Sequence, residues 1–308
     1  MSKELSGLVT GLLKQGKNYR DLFNQVLVPL QPKGTNPPFF CIHGGTGRAI
    51  FFNLARHLGS QQPFYAVQSP GLDGKTPPIL KLEDMATHYI QQIRTIQPNG
   101  PYLLGGFCIG GTVALEMAQQ LVAQGEQVAL VALLDAHPPW SLESTEEASP
   151  YGLKTRLKDH FNNLKKMSGK ERRKYLALRV DHAKFILRSH AWELAYPFFK
   201  FTGRPLPRFM YDIDSINNHA FLEYQAKPYA GKMAVLVTDT HAARFSAQHL
   251  GWTKIASNLE VYVVPGLHDT IMNEANVKPY AQQLKLCITV ALNAKQGSEQ
   301  AVTSAVQQ

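Results

Sequence analysis

Three residues of this sequence have the types and the chain order of a nucleophile, an acid and a base. Gly106-Phe107-Cys108-Ile109-Gly110 follows the apolar run Tyr102-Leu103-Leu104 and precedes a helical pattern. A nucleophile held in a tight strand-to-helix turn sits on strained backbone, and side chains two residues to either side would collide. Gly106 and Gly110 remove those side chains, and Gly105 and Gly111 widen the clearance. The following helix points its N-terminus at the turn, offering N–H groups without intrahelical partners and the positive end of its dipole. That field favours negative charge at the Cys108 sulfur or on an oxyanion beside it.

The acid belongs at the carboxyl end of a later strand. Val128–Leu134 is an unbroken apolar run ending in Asp135, and a carboxylate finishing a buried strand needs a partner. Asp239 ends the run Ala234–Thr238 in the same way and is the alternative acid. The base comes last in the order nucleophile, acid, histidine. His268, in Val264-Pro265-Gly266-Leu267-His268-Asp269, is the histidine of the eleven with that position, whereas His57, His88, His160 and His182 fall in helical patterns. A second glycine cluster, His43-Gly44-Gly45-Thr46-Gly47, follows the first apolar run. The backbone N–H groups of Gly44 (or Gly45) and Ile109 would bracket a carbonyl oxygen, with His43 shaping the loop.

Elements that could hold these residues alternate along the chain. Short runs bounded by Gly, Pro or Asp predict strands at Pro38–His43, Phe64–Gln68, Tyr102–Phe107, Val128–Asp135, Met233–Thr238 and Val261–Pro265. One-faced apolar patterns predict helices at Glu83–Ile96, Gly111–Ala123 and Pro279–Leu292. The fold class is therefore α/β, with a mostly parallel sheet wrapped by helices on both faces. The alternation stops after Asp135 and resumes at Met233. Residues 1–36 read as an N-terminal extension and 37–140 as the first part of the core. Residues 141–230 read as a helical insertion, 231–295 as the second part of the core, and 296–308 as a polar, disordered tail.

Composition narrows the function. The chain has 308 residues, 44% hydrophobic and 18% charged, which excludes disordered and coiled-coil classes. No apolar run approaches the ~20 residues of a bilayer span, and the amino terminus lacks a signal-peptide pattern. Three cysteines make no disulfide framework, so a cytoplasmic location is expected. The net charge of +9 is concentrated: Tyr151–Met210 holds fifteen Lys and Arg against four Asp and Glu, and the rest of the chain sums to −2. No zinc-finger spacing or RNP motif accompanies this charge, so nucleic acid is not the expected partner. A solvated helical face is one reading of the charge, and an acidic protein partner docking on the cluster Lys170, Arg172, Arg173 and Lys174 is the next.

From about Pro37 to Leu292 the chain resembles the thioesterase domains of nonribosomal peptide synthetases and polyketide synthases, members of the α/β-hydrolase superfamily. The resemblance rests on PFFCIHGGTG, PFYAVQSPGLDG, EDMATHYIQQIRTIQPNGPYLLGGFCIGG, VALEMAQQL, LLDAHPP, KPYAGKMAVLVTD, LGW and VPGLHDTIM. It implies a triad of Cys108, Asp135 and His268, a mobile helical lid at Tyr151–Glu223, and Asp135 rather than Asp239 as the acid. It further implies release of an acyl, peptidyl or polyketide chain from the phosphopantetheine of an acyl or peptidyl carrier protein. That release would be by hydrolysis, cyclisation or transfer to an amine, with no cofactor or metal of the enzyme's own. Cys108 departs from the family, which usually has Ser in this turn. No carrier segment precedes Pro37, so the carrier is expected as a separate protein or as part of a larger synthetase. Two other functions use the same residues differently: a small-molecule esterase of dienelactone-hydrolase type with a Cys-His-Asp triad, and an inactive hydrolase fold serving as a binding module.

Overall fold

Phe39–Ile42 (β2) and Phe64–Val67 (β3) carry no charge and are buried at every position, as parallel strands covered on both faces must be. In the computed structural model they join Leu27–Gln31 (β1), Tyr102–Phe107 (β4), Val128–Leu134 (β5), Met233–Thr238 (β6) and Leu259–Val264 (β7) in one sheet. Its order is β1-β3-β2-β4-β5-β6-β7, parallel throughout except for the β1–β3 pair. The structure describes residues 25–48, 50–141, 194–199, 201–202, 204, 206–244 and 251–306, with side chains to 294.

Helices cover both faces. Phe52–Leu58 (α1), Leu82–Arg94 (α2), Gly110–Ala123 (α3), Ile213–Glu223 (α4), Asp239–Arg244 (α5) and Val277–Val306 (α6) alternate with the strands. The two-residue period of β2 divides the core: Phe40 and Ile42 pack with Met85, Tyr89 and Ile93 of α2 and Val113, Met117 and Leu121 of α3. Phe39 and Cys41 face the other way, onto Leu54 and Leu58 of α1 and Tyr280, Leu284 and Ile288 of α6. Each buried side chain of this size contributes about 1.5–3 kcal/mol, so these rows, rather than helix propensity, hold the helices on the sheet. The mostly parallel α/β architecture expected from the sequence is the one observed.

Several boundaries differ from expectation. β1 lies inside the stretch read as an extension. Pro29 breaks its apolar run, and only an edge strand tolerates that, with a register shift between Pro29 and Gln31. α1 has seven residues, too few to show a helical period. α6 continues to Val306, through most of the tail expected to be disordered. That stretch has no proline to interrupt the backbone hydrogen bonds.

The chain forms two compact units, Glu143–Met210 and the remainder. α4, expected within the inserted helices, belongs to the unit that carries the sheet, and its Ile213, Ile216, Ala220 and Phe221 are buried. The division falls where the basic excess ends. Lys170, Arg172, Arg173 and Lys174 lie outside the described residues. Among the described residues, no helix is long and apolar enough to cross a membrane.

Parallel strands end together. Gly44 follows β2, Cys108 follows β4, Asp135 follows β5 and His268 lies beyond β7. β2 has β3 on one side and β4 on the other, which is the switch in strand order where open α/β sheets bind ligands.

Candidate active site

The turn after β4 forces Cys108 to φ 55°, in the left-handed region that side chains avoid. Its N–H donates to the Leu134 carbonyl at 3.0 Å, tying the turn to β5. The neighbouring glycines are required by backbone crowding. A Cβ on Gly106 would overlap the Gly110 carbonyl, and one on Gly110 would overlap the carbonyls of Ile42 and His43. Asp135, also at positive φ (49°), is the other non-glycine residue of this kind among those described. Both strained residues are thus at the site, where strain is commonly stored.

Asp135 is fully buried and closely held. Its Oδ1 accepts the Thr238 N–H at 2.7 Å and the Thr238 hydroxyl at 3.1 Å, and its Oδ2 lies 2.7 Å from His268 Nδ1. A second imidazole, His241, places Nδ1 3.1 Å from Oδ1. Burial alone would raise the Asp135 carboxyl, but the contacts from His241, His268 and Thr238 outweigh it and hold it well below the usual carboxylate range. An ionised carboxylate only accepts, so His268 carries a proton on Nδ1 and turns Nε2 outward. Burial lowers the His268 pKa, but Asp135 and Cys108, each by hydrogen bonding and by charge, reverse that and push it up to about 10. Phe107, the last residue of β4, stacks on the His268 ring at 4.7 Å.

The glycine loop after β2 rests on a polar network that the sequence did not disclose. His43 Nδ1 donates to the Gly44 carbonyl at 2.6 Å, while its Nε2 lies 2.8 Å from the Tyr89 hydroxyl and 2.9 Å from the Ser69 hydroxyl. Burial lowers His43 to about 4, so it is neutral and shapes the loop, as expected. Asn217 of α4 donates to the Gly45 carbonyl at 2.9 Å and to Ser69 Oγ at 3.1 Å. A Cβ built on Gly44 would stand 3.7 Å from that of Cys108, so the loop runs beside the turn. Among the described residues, neither the Gly44 nor the Ile109 N–H is spent on a loop carbonyl. Both can therefore face an oxyanion.

Asp239 does not reach His268. It is exposed, and its Oδ1 accepts the N–H groups of Thr240 at 2.8 Å and Gly266 at 3.2 Å. It steadies the loop that carries His268. Cys41 and Cys287 are buried, whereas Cys108 is partly exposed. The grouping Asp135, His241 and His268 has the composition of a metal site. Both imidazoles turn Nδ1 to the carboxylate, however, His268 by a hydrogen bond and His241 at ion-pair distance, and we read the cluster as a carboxylate held between two imidazoles. Nothing in the local sequence singles out Ser69, Asn217 or His241; Phe107, adjacent to Cys108, is the one supporting residue within reach of a motif.

This geometry can add a thiol to a carbonyl and stabilise the resulting oxyanion. A family model described as a thioesterase domain matches residues 37–281. Malpibaldin synthetase of Mortierella alpina is 44% identical over 136 residues, which is 44% of this chain and 2% of that protein. Chondramide synthase cmdD of Chondromyces crocatus is 28% identical over 275 residues, 84% of this chain and 7% of that protein. The chain therefore spans a small fraction of the length of these relatives. In fold it is similar to the NocB thioesterase domain of the nocardicin cluster, with a TM-score of 0.58 and 22% identity over 86% of this chain and 99% of that one.

Proposed function

The chain belongs to the thioesterase domain family, and on that premise we propose that it releases an acyl, peptidyl or polyketide chain from the phosphopantetheine thioester of a carrier protein, through an acyl-Cys108 intermediate. The observation that carries this reading is the 2.7 Å contact between His268 Nδ1 and Asp135 Oδ2, which leaves Nε2 as the ring nitrogen to meet Cys108. In the first half-reaction, the Cys108 thiol proton is the one that His268 Nε2 holds, its pKa raised, against burial, by Asp135 and Cys108, and Sγ bonds to the thioester carbonyl carbon. The oxyanion that forms accepts from the N–H groups of Ile109 and Gly44. On collapse the carbon–sulfur bond to pantetheine breaks, and His268 returns the proton to the departing thiol. In the second half-reaction, water, an amine or a hydroxyl adds to the acyl-Cys108 carbonyl, His268 accepts its proton, and Cys108 leaves as the thiol. Asp135 holds the imidazole tautomer and stabilises the imidazolium in both halves.

A cysteine in this role has a thermodynamic consequence. Transfer from a pantetheine thiol to a serine hydroxyl runs downhill to an oxyester, a poor acyl donor. Transfer to Cys108 makes another thioester of similar energy and keeps the chain activated for a weak nucleophile. The synthetase relatives support a carrier protein as the donor, and the basic segment suits an acidic one.

Intact-mass measurement with an acyl-pantetheine thioester tests the reading. An adduct of the acyl mass on Cys108, with release of free pantetheine, is expected. Turnover without any adduct in wild type or in a Cys108→Ser variant would overturn the covalent intermediate. Equal activity on simple oxyesters, with no preference for carrier-bound substrate, would favour the small-molecule esterase.

A further inference from the structure

Asp135 meets two histidines, and the reaction described above uses one. His241 is buried on α5, with Nδ1 3.1 Å from Asp135 Oδ1, while His268 takes Oδ2 at 2.7 Å. The His241 contact has ion-pair distance but lies off the line of an aligned hydrogen bond. Its ring meets His268 edge-on, with centroids 5.3 Å apart, and meets His137 edge-on at 5.6 Å. Its own N–H lies 3.3 Å from the Thr238 hydroxyl.

The carboxylate torsion of an aspartate is broad, so nothing in Asp135 itself fixes the angle at which its carboxylate plane presents an oxygen to His268 Nδ1. Thr238 Oγ1 cannot fix it either, since it lies 3.1 Å from Oδ1 and 3.2 Å from Oδ2. The groups that contact Oδ1 alone are the Thr238 N–H and His241 Nδ1. We propose that His241 is a positioning residue: by engaging Oδ1 it keeps Oδ2 on His268 Nδ1, and so keeps Nε2 aimed at Cys108. This rests on the assignment of Cys108, Asp135 and His268 above. It makes the working unit four residues, with the fourth never touching substrate.

Two substitutions separate positioning from packing. His241→Phe keeps an edge-on ring and removes the nitrogen, whereas His241→Asn keeps an N–H donor near the Nδ1 position. With a short acyl-pantetheine thioester, the Phe variant is expected to lower kcat about tenfold, the scale of one hydrogen bond to a charged group, with KM little changed. The Asn variant should recover most of that loss. The proton NMR resonance of His268 Nδ1–H should be far downfield in wild type and in His241→Asn, and shifted upfield or lost to exchange in His241→Phe. Should Phe not fold, His241→Leu takes its place. A wild-type kcat and an unchanged resonance in the Phe variant overturn the proposal, as does an equal loss in both variants. The NMR signal needs no substrate. A wild-type protein that never acylates Cys108 would therefore sink the active-site reading while the resonance still judges His241.

Discussion

The ring of Phe107 lies nearly flat on the imidazole of His268, with centroids 4.7 Å apart and planes 18° apart. The residue before the candidate nucleophile thus supports the candidate base, coupling the end of β4 to the loop beyond β7. Aromatic stacking of this kind contributes about 0.5–1.5 kcal/mol. Phe107→Leu is expected to keep the fold and slow acylation roughly two- to tenfold by that arithmetic, with KM unchanged. Steady-state kinetics on an acyl-pantetheine would check this; an unaltered kcat would show the stack to be incidental.

Thiol reactivity follows exposure. Burial raises Cys41 well above the ordinary thiol value and pushes Cys287 up to about 11, and both are buried while Cys108 is not. Iodoacetamide near neutral pH should therefore modify Cys108 first, as read by peptide mapping. Cys108→Ala should stay folded and fail to acylate. Cys108→Ser is expected to load acyl groups but stall as the oxyester, shifting products toward hydrolysis. Normal turnover by the serine variant would leave the cysteine without a chemical purpose.

The two candidate acids make opposite predictions. Asp135→Asn should lower turnover by up to ~10⁴, because His268 can then adopt the wrong tautomer. Asp239→Asn should change little, since an amide oxygen can still accept from Thr240 and Gly266. Parallel kcat measurements decide, and inactivation by the Asp239 change with a mild Asp135 change would reverse the assignment.

Stability should depend on pH through His268. Burial works against its protonated form, but Asp135 and Cys108 prevail and raise it from 6.5 to about 10. A group raised on folding stabilises fully below its unfolded value and loses that contribution as pH climbs through its folded value. Wild type should therefore exceed His268→Gln in Tm by the most below about pH 6.5, with the gap closing as pH approaches and passes about 10. A gap that widens toward alkaline pH would contradict the pairing.

Charge reversal at Lys170, Arg172, Arg173 and Lys174 should raise KM for carrier-bound substrate and spare a small pantetheine thioester. Peripheral charges act on encounter rather than on bond making. Raised salt should reproduce the effect in wild type. Equal losses on both substrates would show that the segment shapes the pocket instead.

Much of the architecture was legible because strand signals are local. The runs at β2, β3, β4, β5 and β6 are short, apolar and bounded by turn residues, and each formed within a residue or two of its expected place. The failures have a common cause. β1 is stabilised by pairing with β3 rather than by its own pattern, and α4 groups with the sheet unit although its sequence continues a helical insertion.

By itself the sequence placed Cys108, Asp135 and His268 at strand ends in a workable chain order. Those assignments depend on immediate neighbours: glycines that clear a turn, and apolar runs that end in a polar residue. It left Asp135 and Asp239 in equivalent local settings, and only family resemblance favoured the former. Tertiary structure separated them, because β5 pairs beside β6 and turns the Asp135 carboxylate onto Thr238, 103 residues away, and His268, 133 residues away. It alone brought Asn217 to the glycine loop across 172 residues, and His241 to the acid. Such contacts are set by which strands lie side by side, and no stretch of neighbouring residues encodes that.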